Sequence, residues 1–135
     1  MNILVIDGMG GGIGRAIIEK VRANLGGVGI TAVGTNAIAT AAMIKAGADV
    51  GATGENAVVY NAARADCIVG VIGIAFANSM YGEVSPKMSE AVSQSHAHKI
   101  LIPSDKCNIT VSGVSGVSLT AHIDEVVAKL RQMSH

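Results

Sequence analysis

The pattern of apolar and polar positions alternates between two periods along the chain. An apolar run from Asn2 to Ile6 has the character of a parallel strand buried on both faces. Glycines between Gly8 and Gly14 end it. Apolar residues then fall at Ile13, Ile17, Val21 and Leu25, with Ile18 beside them and Arg15, Glu19 and Lys20 elsewhere, which predicts a helix to about Leu25. Gly26-Gly27 breaks that helix and Val28 to Gly34 supplies a second strand. Thr35 or Asn36 can cap the Ala-rich helix that follows, and Gly47 can end it in the left-handed conformation. Ala48 to Ala52 is a poor strand by propensity, but the alternation of elements demands one there. Topology likewise makes Glu55 to Arg64 a helix, although Val58, Val59 and Tyr60 favour strand locally. Asp66 to Ile72 is a strongly apolar fourth strand, followed by a glycine-containing loop through Gly82. Ser85-Pro86 starts a helix that carries Met88, Ala91, Val92 and Ser95 on one face and ends near His96. Lys99 to Pro103 is a fifth strand and Asn108 to Ser112 a sixth. Ser118 caps a last helix with Leu119, Ile123, Val126, Val127 and Leu130 inward and a Glu125–Lys129 pair outside.

Strand and helix alternate almost throughout, which predicts one α/β domain over residues 1–135. The expected architecture is a three-layer, Rossmann-like, doubly wound and mainly parallel sheet of order 3-2-1-4-5, with the sixth strand at an edge. Ten Lys and Arg balance ten Asp and Glu, no basic run is present, and aromatic residues are scarce, so nucleic acid is not an expected partner. Half of the residues are hydrophobic and only 15% are charged, which predicts a homo-oligomer. No leader-like segment is read at Met1-Asn2-Ile3, and the most apolar stretch, Cys67 to Ala77, is too short for a membrane span and reads as a buried strand. Cys67 and Cys107 lie far apart without paired spacing, so free thiols in the cytoplasm are expected, with no metal site.

The strongest chemical signal is Asp7-Gly8-Met9-Gly10-Gly11-Gly12-Ile13-Gly14, directly after a buried strand and directly before an amphipathic helix. Residues without Cβ at such a junction let backbone N–H groups approach a phosphate at the positive end of the helix dipole. A tight turn that only packs strand against helix is the competing reading. The strict G-x-G-x-x-G spacing fails, because counting from Gly8 brings Ile13 to the last position. Gly8-x-x-x-Gly12-Ile13-Gly14, continued by Arg15-Ala16-Ile17, resembles instead the glycine-rich motif of short-chain dehydrogenases. Asp66-Cys67-Ile68-Val69-Gly70-Val71-Ile72-Gly73 resembles the segment that ends the fourth strand of that family, without its two Asn. The dehydrogenase Tyr-x-x-x-Lys pair is missing, and the second strand ends in Gly34-Thr35-Asn36 without an acidic residue for the ribose. Hydride transfer of that type is therefore not expected, and no nucleophile and base pair is assigned.

In a doubly wound sheet the loops leaving strands one and four flank the ligand crevice, so Gly73 to Gly82 should face the glycine-rich turn and Asn78, Ser79, Tyr81 and Glu83 are candidates to meet a ligand; a solvated or subunit-contact loop is the competing reading. Thr35, Asn36 and Thr53 are expected at the same rim as further contacts. The candidate binding residues are then Gly8, Met9, Gly10, Gly11, Gly12, Ile13, Gly14, Thr35, Asn36, Thr53, Gly73, Asn78 and Ser79, with NAD(P) or another nucleotide as the expected ligand. Asp7 is read as a cap for N–H groups of the turn, Arg15 as a surface partner of Glu19, and Glu55 as an acid favoured by a helix dipole. His96 and His98 are read as exposed, and Cys107, beside Lys106, as an inert thiol rather than an activated one.

The glycine-rich segment, Val33-Gly34-Thr35-Asn36-Ala37, Gly51 to Ala57, Ala77-Asn78-Ser79-Met80 and Lys99 to Pro103 together resemble one small bacterial family, catalogued as a domain of unknown function, over essentially the whole chain. The resemblance implies a stand-alone cytosolic protein of about this length and no particular activity.

Overall fold

A computed structural model of the chain describes residues 1–104 and 108–134. Its elements are β1 (Asn2–Asp7), α1 (Gly12–Asn24), β2 (Gly29–Gly34), α2 (Ala37–Lys45), β3 (Val50–Thr53), α3 (Glu55–Ala62), β4 (Cys67–Val71), a short 3-10 turn (Ile72–Ala75), α4 (Pro86–Gln94), β5 (His98–Ile102) and α5 (Leu119–Met133). The five strands form one sheet of order β3-β2-β1-β4-β5, as the alternation of elements predicts. Every neighbouring pair is parallel.

Successive side chains of β1 point to opposite faces of the sheet and build two cores. Ile3 and Val5 pack with Ile17, Ile18 and Val21 of α1, Met43 of α2 and Ile123, Val126, Val127 and Leu130 of α5. Leu4 and Ile6 pack on the other face with Val58 of α3 and Met88 and Val92 of α4. Each aliphatic side chain so buried contributes on the order of 1.5–3 kcal/mol, which is why β1, apolar on both faces, occupies the centre of the sheet. The chain leaves β1 toward β2 and β3, then crosses to β4 on the other side of β1. The order therefore reverses between β1 and β4, and the crevice outside their carboxyl ends is the place where such sheets take ligands.

Side chains set the starts of α2, α4 and α5. Asn36 accepts the Ala39 N–H at 2.9 Å, Ser85 the Met88 N–H at 3.3 Å and Ser118 the Ala121 N–H at 3.1 Å. β3 begins at Val50, two residues after the start expected from the alternation of elements, and Asp49 anchors the turn before it: its carboxylate accepts the Ile30 N–H at 2.8 Å and pairs with Arg22 at 2.8 Å. The expected sixth strand over Asn108–Ser112 is not formed. Asn108, the first residue of the expected strand, has left-handed backbone (φ 55°), and its last residue, Ser112, lies in a turn completed by Gly113 (φ 89°), which leaves only residues 109–111 between the two turns. Val111 and Val114 instead line the space between β5 and α5. Lys106 and Cys107 lie outside the described residues.

Candidate functional site

Asp7, the last residue of β1, is buried beneath the glycine-rich turn with 6% of its surface exposed. Its Oδ1 accepts the Gly8 N–H at 2.8 Å and its Oδ2 the Gly14 N–H at 2.6 Å. Residue Gly11, at the N-cap of α1, has φ 75° and no side chain to satisfy the helix's free N–H groups. Asp7 does this from below, in the capping role expected of it. Burial raises the Asp7 pKa, the N–H groups of Gly14 and Gly8 oppose that rise, and the negative charge of Glu83 adds to it.

Three of the five glycines in the turn are required by packing. A Cβ on Gly8 would stand 2.5 Å from Thr35 Oγ1, one on Gly11 2.8 Å from the Ala39 backbone, and one on Gly14 2.6 Å from Met43 Sδ. Gly10 and Gly12 differ. A Cβ on either would meet nothing within 4 Å, and neither has the positive φ that favours glycine. Both line a cleft of about 310 Å³, bounded further by Asp7, Ile13, Val71, Met80 and Ser104.

Glu83 closes one side of the turn. Its Oε1 accepts from Thr35 Oγ1 at 2.6 Å, from Asn36 Nδ2 at 2.8 Å and from the Met9 N–H at 2.9 Å. Asn36 Nδ2 also donates to the Met9 carbonyl at 2.9 Å. The Thr35 hydroxyl, the Met9 N–H and the Asn36 amide together hold the Glu83 pKa below the usual carboxylate range. Glu83 thus brings to the end of β2 the acidic group that the sequence lacks there, and it does so from the loop between β4 and α4.

That loop carries three non-glycine residues in the left-handed region, Asn78 (φ 66°), Met80 (φ 56°) and Tyr81 (φ 56°). It folds on itself: the Asn78 N–H donates to the Val84 carbonyl at 2.7 Å, and Ser79 Oγ donates to the Gly73 carbonyl. Met80 turns inward over Gly8 while Tyr81 is 97% exposed.

The structure brings Gly8 to Ile13 together around the cleft and places Gly14 behind them on Asp7. Thr35 and Asn36 are held by Glu83, and Gly73, Asn78 and Ser79 serve the internal bonding of their own loop. Thr53 lies at the end of β3, where its hydroxyl is 2.7 Å from that of Thr40. Glu55 opens α3 and accepts from Ser85 Oγ at 2.6 Å, and Arg15 pairs with Glu19 at 2.9 Å on the surface. His96 and His98 are exposed. Val71, Met80 and Ser104 line the cleft but are not among the candidate binding residues read from the sequence; Ser104 carries a usable signal, a polar residue just beyond the carboxyl end of β5.

A second space, of about 430 Å³, adjoins the first and shares Ile13 and Ser104 with it. Its other walls come from Pro103, from the segment between Ile109 and Val117, and from Leu119 and His122 of α5. Among the described residues no three His, Cys, Asp or Glu side chains gather where they could hold a metal ion.

A family model described as "Domain of unknown function (DUF3842)" matches residues 2–135. The chain belongs to that family. No curated protein matches it. Among solved structures, the dodecameric FMN-dependent UbiX-like decarboxylase from Escherichia coli O157:H7 is similar, at 14% identity and a TM-score of 0.41, over 98% of the DUF3842 chain and 95% of the other. Among the described residues no helix is long and apolar enough to cross a membrane.

Proposed function

We propose that this DUF3842 protein binds a phosphate-bearing nucleotide, with the phosphate on the turn from Gly8 to Gly14 and the rest of the ligand in the crevice between the ends of β1 and β4. The observation that carries the reading is the bareness of Gly10 and Gly12. Glycine at the first position of a helix weakens it relative to alanine, and here neither packing nor backbone angle compensates. What a missing Cβ gives at these two positions is access to the backbone N–H groups from the cleft.

The test is a thermal-shift screen of purified, nucleotide-free protein against nucleoside mono-, di- and triphosphates, NAD, NADP, FMN and FAD. A ligand present at 100 times its dissociation constant adds about 2.7 kcal/mol of stability. The shift should vanish in Gly12→Val, whose unliganded melting temperature should stay close to that of the parent because the new side chain enters open space. No shift with any of these compounds overturns the reading.

A second reading, self-association, is supported by the open outer edge of β3. Exposed Val50 on that strand, with Ile44 of α2 and Val59 and Tyr60 of α3, forms an apolar rim that a homo-oligomer would cover. Light scattering of the protein and of Val50→Lys tests it: the parent should be oligomeric and the variant smaller. The setting proposed for both readings is the cytoplasm, where buried Cys67, its thiol pushed up to about 12 by burial, stays reduced and inert.

A further inference from the structure

The two sides of the glycine-rich turn are built differently, and the difference bears on ligand class. A dinucleotide on a sheet of this order spans the switch point, with its pyrophosphate over the turn and one nucleoside on each side. One of those nucleosides lies against the end of β2. Here the passage from the turn to β2 is filled. Glu83 Oε1 bridges Met9, Thr35 and Asn36 at 2.6 to 2.9 Å, Asn36 Nδ2 reaches the Met9 carbonyl at 2.9 Å, and Met80 Sδ lies 2.8 Å from the position of a Cβ on Gly8.

The opposite side is open. The cleft of about 310 Å³ at the turn shares Ile13 and Ser104 with the neighbouring space of about 430 Å³ that Pro103 after β5 and Leu119 and His122 of α5 help to line. Such volumes are typical of small-ligand sites. Pro103, Ile109, Val114 and Leu119 give the second space apolar walls, and His122 adds a polar group at the start of α5. Asp7 lines the cleft beneath the turn, whereas Glu83 stands on the β2 side of it.

Resting on the phosphate-binding reading above, we propose that the ligand is a phosphate monoester with a single apolar or heteroaromatic group, directed from the glycine turn toward β5 and α5, and that Glu83 excludes dinucleotides by occupying the passage to β2. The ester phosphate takes the N–H groups of the turn. The organic group lies against Ile13 and the walls formed by Ile109 and Val114. Glu83 is a specificity-determining residue in this arrangement and touches no part of the bound monoester.

Titration calorimetry with the full chain, using AMP against NAD and FMN against FAD, tests the inference, because each pair compares a monoester with a dinucleotide that contains it. At least one monoester should bind more tightly than its dinucleotide by about tenfold or more, because the second nucleoside finds the passage to β2 filled. Glu83→Ala should narrow that ratio by improving the dinucleotide. Val114→Glu should weaken the monoester and leave the melting temperature of the unliganded protein nearly unchanged, since Val114 is only partly buried in a loop. A dinucleotide that binds as well as its monoester in the parent protein overturns the inference and leaves the phosphate site standing. Failure of all four compounds and of inorganic phosphate to bind overturns the phosphate site and the inference with it.

Discussion

Glu83 Oε1 accepts a hydrogen bond from Thr35 Oγ1 at 2.6 Å, and this contact joins the loop after β4 to the end of β2 across 48 positions of sequence. The same oxygen holds the Met9 N–H and the Asn36 amide, so three segments that would otherwise move separately are fastened at one atom. Charge-assisted bonds of this kind are stronger than neutral ones. Their position above Gly8, where a Cβ would be 3.0 Å from the same oxygen, couples the geometry of the glycine turn to the loop.

Glu83→Ala should therefore lower stability by about 1–2 kcal/mol, as expected for losing bonds to a partly exposed carboxylate, and should speed amide hydrogen exchange from Phe76 to Val84 more than elsewhere. Glu83→Gln keeps an acceptor oxygen and should lie between the two. Because the folded protein holds the Glu83 pKa below 4.5, its contribution is complete above that value and is lost as pH falls through the folded pKa. Denaturant melts between pH 3 and 6 read this directly, and a Glu83→Ala protein should lack that part of the acid dependence. Unchanged exchange in the loop would remove the latch from the description.

Asp7 should show the opposite sign. Its pKa is raised in the folded state, mainly by burial, so the carboxyl is easier to keep folded when protonated, and its contribution to stability falls as pH rises from 3.8 through the folded value. Asp7→Ala removes the acceptor for the Gly8 and Gly14 N–H groups. It should cost about 1–3 kcal/mol, the penalty for leaving buried donors unpaired, offset in part by relief of the buried charge. The loss should appear as fraying of the first turn of α1 in hydrogen exchange. A variant as stable as the parent across the acid range would show that the cap contributes nothing net.

How far this was legible in the sequence differs between fold and site. The sheet order was readable because β1 and β4 are apolar runs that have to be buried on both faces, and alternation then fixed even β3, whose own residues favour a strand weakly. The sixth strand failed for a local reason: Ile109, Thr110 and Val111 have strand propensity, but turns at Asn108 and at Ser112-Gly113 take both ends of the expected span and leave three residues between them. Asp7 as a cap was legible, since an acid between a strand and a glycine turn has few other partners. The Glu83 latch was not, because its partners at Met9, Thr35 and Asn36 lie 74, 48 and 47 residues away and no local periodicity connects them. Glu83 was placed near the crevice by topology alone.

The glycines offer a contrast within one turn. Gly14→Ala puts a methyl 2.6 Å from Met43 Sδ and 2.9 Å from Asp7 Cβ, so it should destabilise by about 1–3 kcal/mol as the core gives way. Gly12→Ala meets nothing and should leave stability unchanged or raise it by up to about 0.5 kcal/mol through the better helix propensity of alanine. If the open glycines serve a ligand, Gly12→Ala should also weaken phosphate-ester binding, so the variant that improves the fold impairs the site. Chemical denaturation and calorimetry on the same two proteins separate the effects, and a Gly12→Ala protein that binds as the parent does would assign Gly12 to neither.

Tyr81 holds a left-handed backbone at φ 56° with its side chain 97% exposed, so the isolated chain gains little from that side chain to offset the backbone cost. Replacing it by glycine removes about 1–2 kcal/mol of steric cost and restores part of it through the larger entropy of the unfolded chain. Tyr81→Gly should accordingly be as stable as the parent or more stable by up to about 1 kcal/mol when studied as a monomer. Measuring its melting temperature at several protein concentrations distinguishes two roles for the tyrosine. A gain that does not change with concentration means that the ring is dispensable to the fold. A loss that grows with concentration means that the ring is buried against a second copy, since only an interface would make the parent's stability depend on how much protein is present.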